Sequence, residues 1–333
     1  MMTGSDFDKL FESFDALKIG VVSDVMPDTY RWGNVDRISP EAPVPVVALR
    51  KKEQRIGGAG NVALNVEAPG CKISVISITG KDDEGDQLIS LMRDNNINTD
   101  YIRQSKERIT TNKIRIISRN QHMMRLDAEV ILPLSVFEEE ELIKAFSTYA
   151  ELEKPQLVIL EDYNKGVLTE NVIEKIISIC KKNKILTAVD PKRKNFFAYK
   201  NADIFKPNLK EAKEGLNIIG DEVSEKLLGE IHDAMHEKMH HRISLITLSE
   251  KGIFYESEKQ KEIIPTHIRS VADVSGAGDT VIAVASVVYA ASENIKLMAE
   301  MANIAGGLVC EEVGTVAINK KKLAEECKQI LVH

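Results

Sequence analysis

The segment Asp273-Val274-Ser275-Gly276-Ala277-Gly278-Asp279-Thr280 stands directly before an apolar run that begins near Val281. Its glycines let the backbone turn tightly, and the unpaired N–H groups at a helix start form a cradle for developing negative charge. Asp279 follows at once, placed to take a proton from an attacking hydroxyl, so phosphate chemistry is the natural use. The bland alternative is a glycine-rich turn with Asp279 as an ordinary first-turn charge, because short glycine motifs recur by chance. A second glycine turn, Gly57-Gly58-Ala59-Gly60-Asn61, also runs into a helical pattern. Without side chains at Gly57 and Gly58 a polyhydroxylated ligand can approach the main chain, and Asn61 offers both a donor and acceptors. It reads equally well as a close-packed junction between loop and helix. In Ser23-Asp24-Val25-Met26-Pro27-Asp28, at the end of the first predicted strand, Asp24 and Asp28 are either acceptors for sugar hydroxyls or surface turn residues. No G-x-x-x-x-G-K-[ST] is present, and no G-x-G-x-x-G follows the first strand, which excludes simple P-loop and dinucleotide readings.

The elements that must position these residues follow from periodicity. Apolar runs alternate with helical periods, the pattern of a largely parallel sheet with crossover helices, so the class is α/β. Strands are predicted at Lys18–Val22, Lys72–Ile78, Leu157–Leu160, Ile185–Val189, Ile243–Leu248 and Gly252–Glu256, with helices at Asp83–Asn95, Ser135–Glu151, Thr169–Lys182 and Val223–His240. Two stretches break the alternation, at about 30–55 and 110–127, and read as a small β-sheet standing over the strand ends as a lid. One domain with this lid, spanning 1–333, is expected.

The charge balance of 44 Lys+Arg against 51 Asp+Glu argues against nucleic acid as a partner. The longest nearly pure apolar run, Val281 to Ala291, falls well short of the roughly 20 residues that span a bilayer. The acidic, amphipathic start lacks an export signal, so a cytoplasmic protein without membrane contact is expected. Cys71, Cys180, Cys310 and Cys327 are scattered and read as idle thiols. His232, His236 and His240 recur every four residues on a predicted outer helix, where an exposed, non-ligating stripe is expected.

Taken together, the motifs resemble the PfkB, or ribokinase-like, carbohydrate kinases. Asp273–Asp279 matches the family's D-[TV]-x-G-A-G-D, and Gly57–Asn61 is similar to its sugar-side G-G-x-x-N. Asn208-Leu209-Lys210-Glu211 resembles the N-x-x-E element that organises magnesium and its waters, and Thr247-Leu248-Ser249-Glu250-Lys251-Gly252 resembles the nucleotide-side T-x-x-x-x-G. Asn303 matches a late residue at the adenine side. Within the family, the subgroup acting on D-glycero-β-D-manno-heptose 7-phosphate is the most similar. The segments that carry this likeness are Asp24-Val25-Met26, Arg37-Ile38-Ser39-Pro40-Glu41-Ala42-Pro43-Val44-Pro45-Val46, Thr110–Arg115, Arg119-Asn120-Gln121, Arg125-Leu126-Asp127, Asp162–Thr169 and Asp190-Pro191-Lys192.

The resemblance implies a ribokinase-like three-layer α/β/α fold and ATP-dependent phosphorylation of the anomeric hydroxyl of that sugar phosphate. Asp279 is then the catalytic base, and Gly276, Ala277 and Gly278 form the anion hole. Asn208, Glu211, Thr247, Ser249, Gly252, Asp273 and Asn303 lie on the nucleotide side, with Mg²⁺ held by Asn208 and Glu211 through water and a monovalent cation left open near Asp273. Asp24, Asp28, Gly57, Gly58, Asn61 and Asp162 are implied on the sugar. A substrate phosphate needs cations, for which Lys113, Arg115, Arg119, Arg125, Lys165, Lys192 and Arg193 are candidates. A homodimer through the lid is implied as well. Ser23, Pro27, His122 and Asn164 depart from the subgroup pattern and bear on the sugar rather than on phosphoryl transfer. The alternatives are another sugar kinase of the family and a catalytically idle metabolite-binding module.

Overall fold

The computed structural model describes residues 3–119, 121–220, 223–267 and 269–332, so Asn120 of the Arg119-Asn120-Gln121 segment lies outside the described residues. In chain order the elements begin with α1 (Gly4–Ser13), β1 (Lys18–Ser23), β2 (Val25–Ile38), β3 (Pro45–Gly58), α2 (Ala59–Glu67), β4 (Lys72–Gly80), α3 (Asp83–Asp94) and β5 (Ile102–Ser105). They continue with β6 (Asn112–Ser118), β7 (Gln121–Ala128), α4 (Val136–Glu153), β8 (Leu157–Glu161), α5 (Glu170–Asn183), β9 (Leu186–Asp190), β10 (Ile204–Phe205) and α6 (Leu209–Leu216). The last are α7 (Glu225–Met239), β11 (Ile243–Thr247), β12 (Ile253–Ser257), β13 (Gln260–Ile264), α8 (Ala277–Ser292), α9 (Ile295–Val309) and α10 (Lys320–Leu331).

The main sheet runs β13-β12-β11-β10-β9-β8-β1-β4-β5. It is parallel from β5 to β11, and β12 and β13 add an antiparallel edge. Central strands are buried on both faces, which is why they read as continuous apolar runs in the sequence. Ile19 and Val21 of β1 join Leu157 and Ile159 of β8 in one core with α2, α8 and α9. Val22, Val158 and Leu160 face the other core, with α4, α5 and α7. The result is three layers, helices on both faces of the sheet. Helix starts are set locally: Ser135 and Asn208 each make a reciprocal capping box, and Thr169 caps α5.

The two stretches that broke the alternation form a second sheet of order β3-β2-β6-β7; the first, 25–58, is wider than the expected 30–55, and the second, 112–128, nearly coincides with the expected 110–127. β2 pairs with β6 in parallel, and the other two pairings are antiparallel. β2 leaves the main sheet one residue after β1 ends, so the small sheet grows directly from the strand ends where α/β sheets bind ligands. Pro27 is accommodated inside β2, opposite Ile56. Among the described residues, no helix is long and apolar enough to cross a membrane.

The histidine stripe differs from expectation. His232 is buried, and its Nδ1 lies 2.8 Å from Ser244 Oγ of β11, to which His241 Nε2 also bonds at 2.7 Å. The cause is that α7 turns this face onto β11; His236 is half-buried, and His240, which leaves the helix as its left-handed cap at φ 53°, is exposed. Burial, then the neighbouring imidazoles, pushes His232 down to about 4 and His241 down to about 3. The unfolded chain takes up these protons near pH 6.5 and the folded chain does not, so stability is full above that pH and falls on acidification. We expect a loss on the order of 2 kcal/mol per histidine between pH 6.5 and 5. Melting midpoints across this range should fall less steeply for His241→Asn than for the parent; equal slopes would assign the acid sensitivity elsewhere.

Candidate active site

α8 starts at Gly276, which sits in the left-handed region at φ 80°, ψ 0° and caps the helix without a side chain. A Cβ there would lie 2.9 Å from Asn61 Nδ2, so glycine serves both the turn and the close approach of Asn61. Asp273 fixes the preceding loop: its Oδ1 accepts from the Ser275 N–H (2.9 Å) and hydroxyl (2.8 Å), and its Oδ2 accepts from the Gly314 N–H (3.0 Å). The Ala277 N–H leans back on the Val274 carbonyl at 3.3 Å. The uncapped helix end presents its remaining N–H dipoles outward, a site for anionic oxygen.

Asp279 lies in the first turn of α8, half-buried. Asn61 Nδ2 donates to its Oδ2 at 2.7 Å, and the Tyr163 hydroxyl donates to its Oδ1 at 3.0 Å. The two glycine motifs, 218 residues apart, therefore meet through a direct hydrogen bond. Burial raises the Asp279 proton affinity and Asp190 adds to it; the donors Asn61 and Tyr163 and the Lys206 charge oppose the rise.

Beneath this carboxylate lies a cluster that sequence reasoning missed. Glu161 and Asp190 are register partners at the ends of β8 and β9. Lys206, 2 % exposed, places its Nζ 2.6 Å from Asp190 Oδ2 and close below Gly278. Burial, joined by the charges of Asp190 and Asp279, holds the Glu161 carboxyl well above the usual range. Burial alone would lower Lys206, but Asp190 and Glu161 outweigh it and keep the ammonium charged. The legible signal was the ending of the apolar runs Leu157–Glu161 and Leu186–Asp190 on carboxylates, at strand ends that face ligand.

On the nucleotide side, Asn208 Oδ1 accepts from the Glu211 N–H (2.8 Å), and Glu211 Oε2 accepts from the Asn208 N–H (2.8 Å). Glu211 Oε1 takes Lys192 Nζ at 2.7 Å. This donor set is all oxygen, which suits magnesium, yet both Glu211 oxygens and the Asn208 oxygen are engaged, so it fits the ion through water rather than by direct coordination. Thr247 bridges to Asn208 at the end of β11. Ser249 opens the following turn, which closes when the Leu248 N–H donates to the Gly252 carbonyl at 2.8 Å. Asn303 Nδ2 donates to the Pro265 carbonyl at 2.8 Å. Among the described residues, no group of three or more His, Cys, Asp or Glu side chains is disposed to hold a metal ion.

On the sugar side, Asp24 is buried and accepts from the N–H groups of Val167 (3.0 Å) and Lys165 (3.1 Å). Burial pushes its carboxyl up to about 6. Asp162 is likewise buried; it accepts from the Asn164 N–H (2.7 Å) and the Tyr199 hydroxyl (2.9 Å). Both carboxylates thus pin the loop after β8, and any substrate hydroxyl would share oxygens already in use. A cavity of about 20 Å³, room for one water, is lined by Asp24, Arg108 and Lys165. Asp28 pairs with Arg115 at 2.5 Å, and Gly57 makes room for it, since a Cβ would lie 2.4 Å from Asp28 Oδ2. Gly58 ends β3 opposite Val25. Lys113 sits in β6 between Asp28 of β2 and Asp127 of β7. Arg125 is exposed and bidentate to Asp127, and Lys165 pairs with Glu129 at 2.6 Å. Arg115, Arg125 and Lys165 therefore each have a carboxylate partner already. Asp24→Ala should free the Lys165–Val167 backbone, raise the KM for the sugar substrate severalfold and destabilise the fold by about 1–3 kcal/mol. An unchanged KM, measured by ADP release, would contradict this.

The description pfkB family carbohydrate kinase matches residues 16–322, and the chain belongs to that family. It is 37 % identical over 317 residues to the bifunctional protein HldE of Sulfurimonas denitrificans, covering 95 % of this chain and 65 % of the relative. To the protein of the same name from Desulfatibacillum aliphaticivorans it is 39 % identical over 316 residues, covering 93 % and 63 %. The chain thus spans a little under two thirds of the length of these relatives. The fold matches phosphofructokinase-2 from Escherichia coli in complex with potassium (TM-score 0.76, 16 % identity, 95 % of this chain and 99 % of the other). It also matches Arabidopsis thaliana ribokinase complexed with ribose and ATP (TM-score 0.71, 15 % identity, 93 % and 99 %).

Proposed function

We propose that this carbohydrate kinase transfers the γ-phosphoryl group of ATP to the anomeric C1 hydroxyl of D-glycero-β-D-manno-heptose 7-phosphate, giving the 1,7-bisphosphate, a step toward ADP-heptose and the lipopolysaccharide core. The observation that carries the phosphoryl-transfer chemistry is the Asp279 carboxylate beside an uncapped helix start and bonded to Asn61 of the sugar-side glycine turn. What supports the heptose is the likeness to proteins named HldE and the segments shared with that subgroup.

Asp279 accepts the proton of the C1 hydroxyl as that oxygen attacks phosphorus in line. The Gly276 and Gly278 N–H groups face the charge that builds on the transferred group, and the Ala277 N–H joins them by exchanging the Val274 carbonyl for an oxygen of that group. Thr247, Ser249, Gly252, Asp273 and Asn303 line the nucleotide side, and Asn208 and Glu211 would hold magnesium through water. Magnesium held there would offset the negative charge of the nucleotide phosphates. Asp24, Asp28, Gly57, Gly58, Asn61 and Asp162 form the sugar side. Lys113, Arg115, Arg125 and Lys165 supply cations for the 7-phosphate, the last three exchanging a carboxylate partner for the ligand.

The small sheet acts as the lid in this reading, and two copies pair through it. All of β7 is exposed, including Met123, Met124 and Leu126, an apolar edge strand of the kind that pairs with another chain. Substrates of this kind are cytoplasmic, and so is the enzyme that uses them. The test is a panel of heptose 7-phosphate, fructose 6-phosphate and ribose with ATP and magnesium. The reading expects heptose 7-phosphate to give the highest kcat/KM by at least tenfold; preference for either other sugar would replace the substrate and keep the chemistry, and ligand binding without ADP release would replace both.

A further inference from the structure

We propose that Tyr163 is a positioning residue for phosphoryl transfer: its hydroxyl clamps one oxygen of the Asp279 carboxylate while Asn61 clamps the other, fixing the base before the sugar arrives. This rests on the reading of Asp279 as the base. A carboxylate in the first turn of a helix turns freely about its last bond unless both oxygens are engaged. Here the donors approach from different elements, Asn61 from α2 at 2.7 Å and Tyr163 from the loop after β8 at 3.0 Å.

The loop is built to deliver that hydroxyl. Asp162, the residue before Tyr163, holds the Asn164 N–H and is itself held by the Tyr199 hydroxyl. Asn164 adopts the left-handed region at φ 55°, turning the chain sharply just after the tyrosine. Asp24 then takes the N–H groups of Lys165 and Val167. Two buried carboxylates thus anchor the backbone after this phenol, the Asp162 N–H donates to the Asp190 carbonyl at 3.0 Å just before it, and the phenol reaches the reacting carboxylate.

The other charged groups that face Asp279 are Glu161 of β8, Asp190 of β9 and Lys206 after β10. Burial and Asp190 favour the protonated acid, whereas Tyr163, Asn61 and Lys206 favour the carboxylate. A hydrogen bond to a charged group stabilises the charged form, so its loss moves the titration upward by about one pH unit.

Tyr163→Phe keeps the ring and removes only the donor. Its acidic limb of kcat against pH, measured with whichever sugar the parent phosphorylates, should move up by about one unit, lowering kcat about tenfold below the limb and leaving the KM for ATP unchanged. A carbon-13 NMR titration of the Asp279 carboxyl, assigned by its disappearance in Asp279→Asn, should move in the same direction without any turnover being needed. An unshifted carboxyl titration, or a loss of kcat that is uniform across pH, would overturn the proposal. A carboxyl that shifts while the kcat profile stays fixed would sink the assignment of Asp279 as the base and leave the clamp standing.

Discussion

Asp279→Asn loses ~10²- to 10⁴-fold in kcat, the range expected when a general base is removed from an otherwise intact site. The amide keeps the shape of the side chain and the neighbourhood of Asn61 and Tyr163, but it takes no proton from the acceptor hydroxyl. ATP binding, measured by calorimetry, should change little, because the nucleotide contacts we propose lie on the loops around Asn208, Thr247 and Asp273 rather than on this carboxylate. Near-normal turnover by the purified variant would remove Asp279 from the chemistry.

Lys206→Met produces the largest expected loss of stability. The ammonium is buried, 2.6 Å from Asp190 Oδ2, and its charge also acts on Glu161 and Asp279. Deleting one member of a buried ion pair costs about 3–5 kcal/mol when the other is left unpaired; Lys192 Nζ, 3.7 Å from Asp190 Oδ1, remains as a longer-range counterion and places the expected loss at the lower end of that range. Denaturant unfolding at pH 7 should show that loss. Adding Asp190→Asn to the variant should recover part of it, since the stranded carboxylate is then gone. A single variant as stable as the parent would mean that water reaches Asp190 and that the cluster is not the closed network described above.

Much of the frame was legible in the sequence. Leu157–Glu161 and Leu186–Asp190 are short, apolar and β-branched because both faces of a central parallel strand are buried, and the sequence carries that burial directly. β10 escaped notice because two residues, Ile204 and Phe205, have no period to read. The antiparallel direction of β12 and β13 depends on what they pair with, which no single strand encodes. The same division holds in the site. Gly276–Asp279 announces itself by spacing, whereas Tyr163 reaches Asp279 across 116 residues through a tertiary contact. Nothing in the sequence around Lys206 shows that the fold sets its ammonium against Asp190 of β9. The exposed histidine stripe failed for a related reason: spacing gives the face of a helix, but not which face packs on the sheet.

The most direct measurement is phosphorus NMR of the purified protein incubated with ATP, magnesium and D-glycero-β-D-manno-heptose 7-phosphate. The account predicts ADP and, in equal amount, a sugar carrying a new phosphate on C1, coupled to the anomeric proton, with the 7-phosphate retained and no such signal from Asp279→Asn. A spectrum in which ATP persists, or in which phosphate is released without appearing on C1, would contradict it.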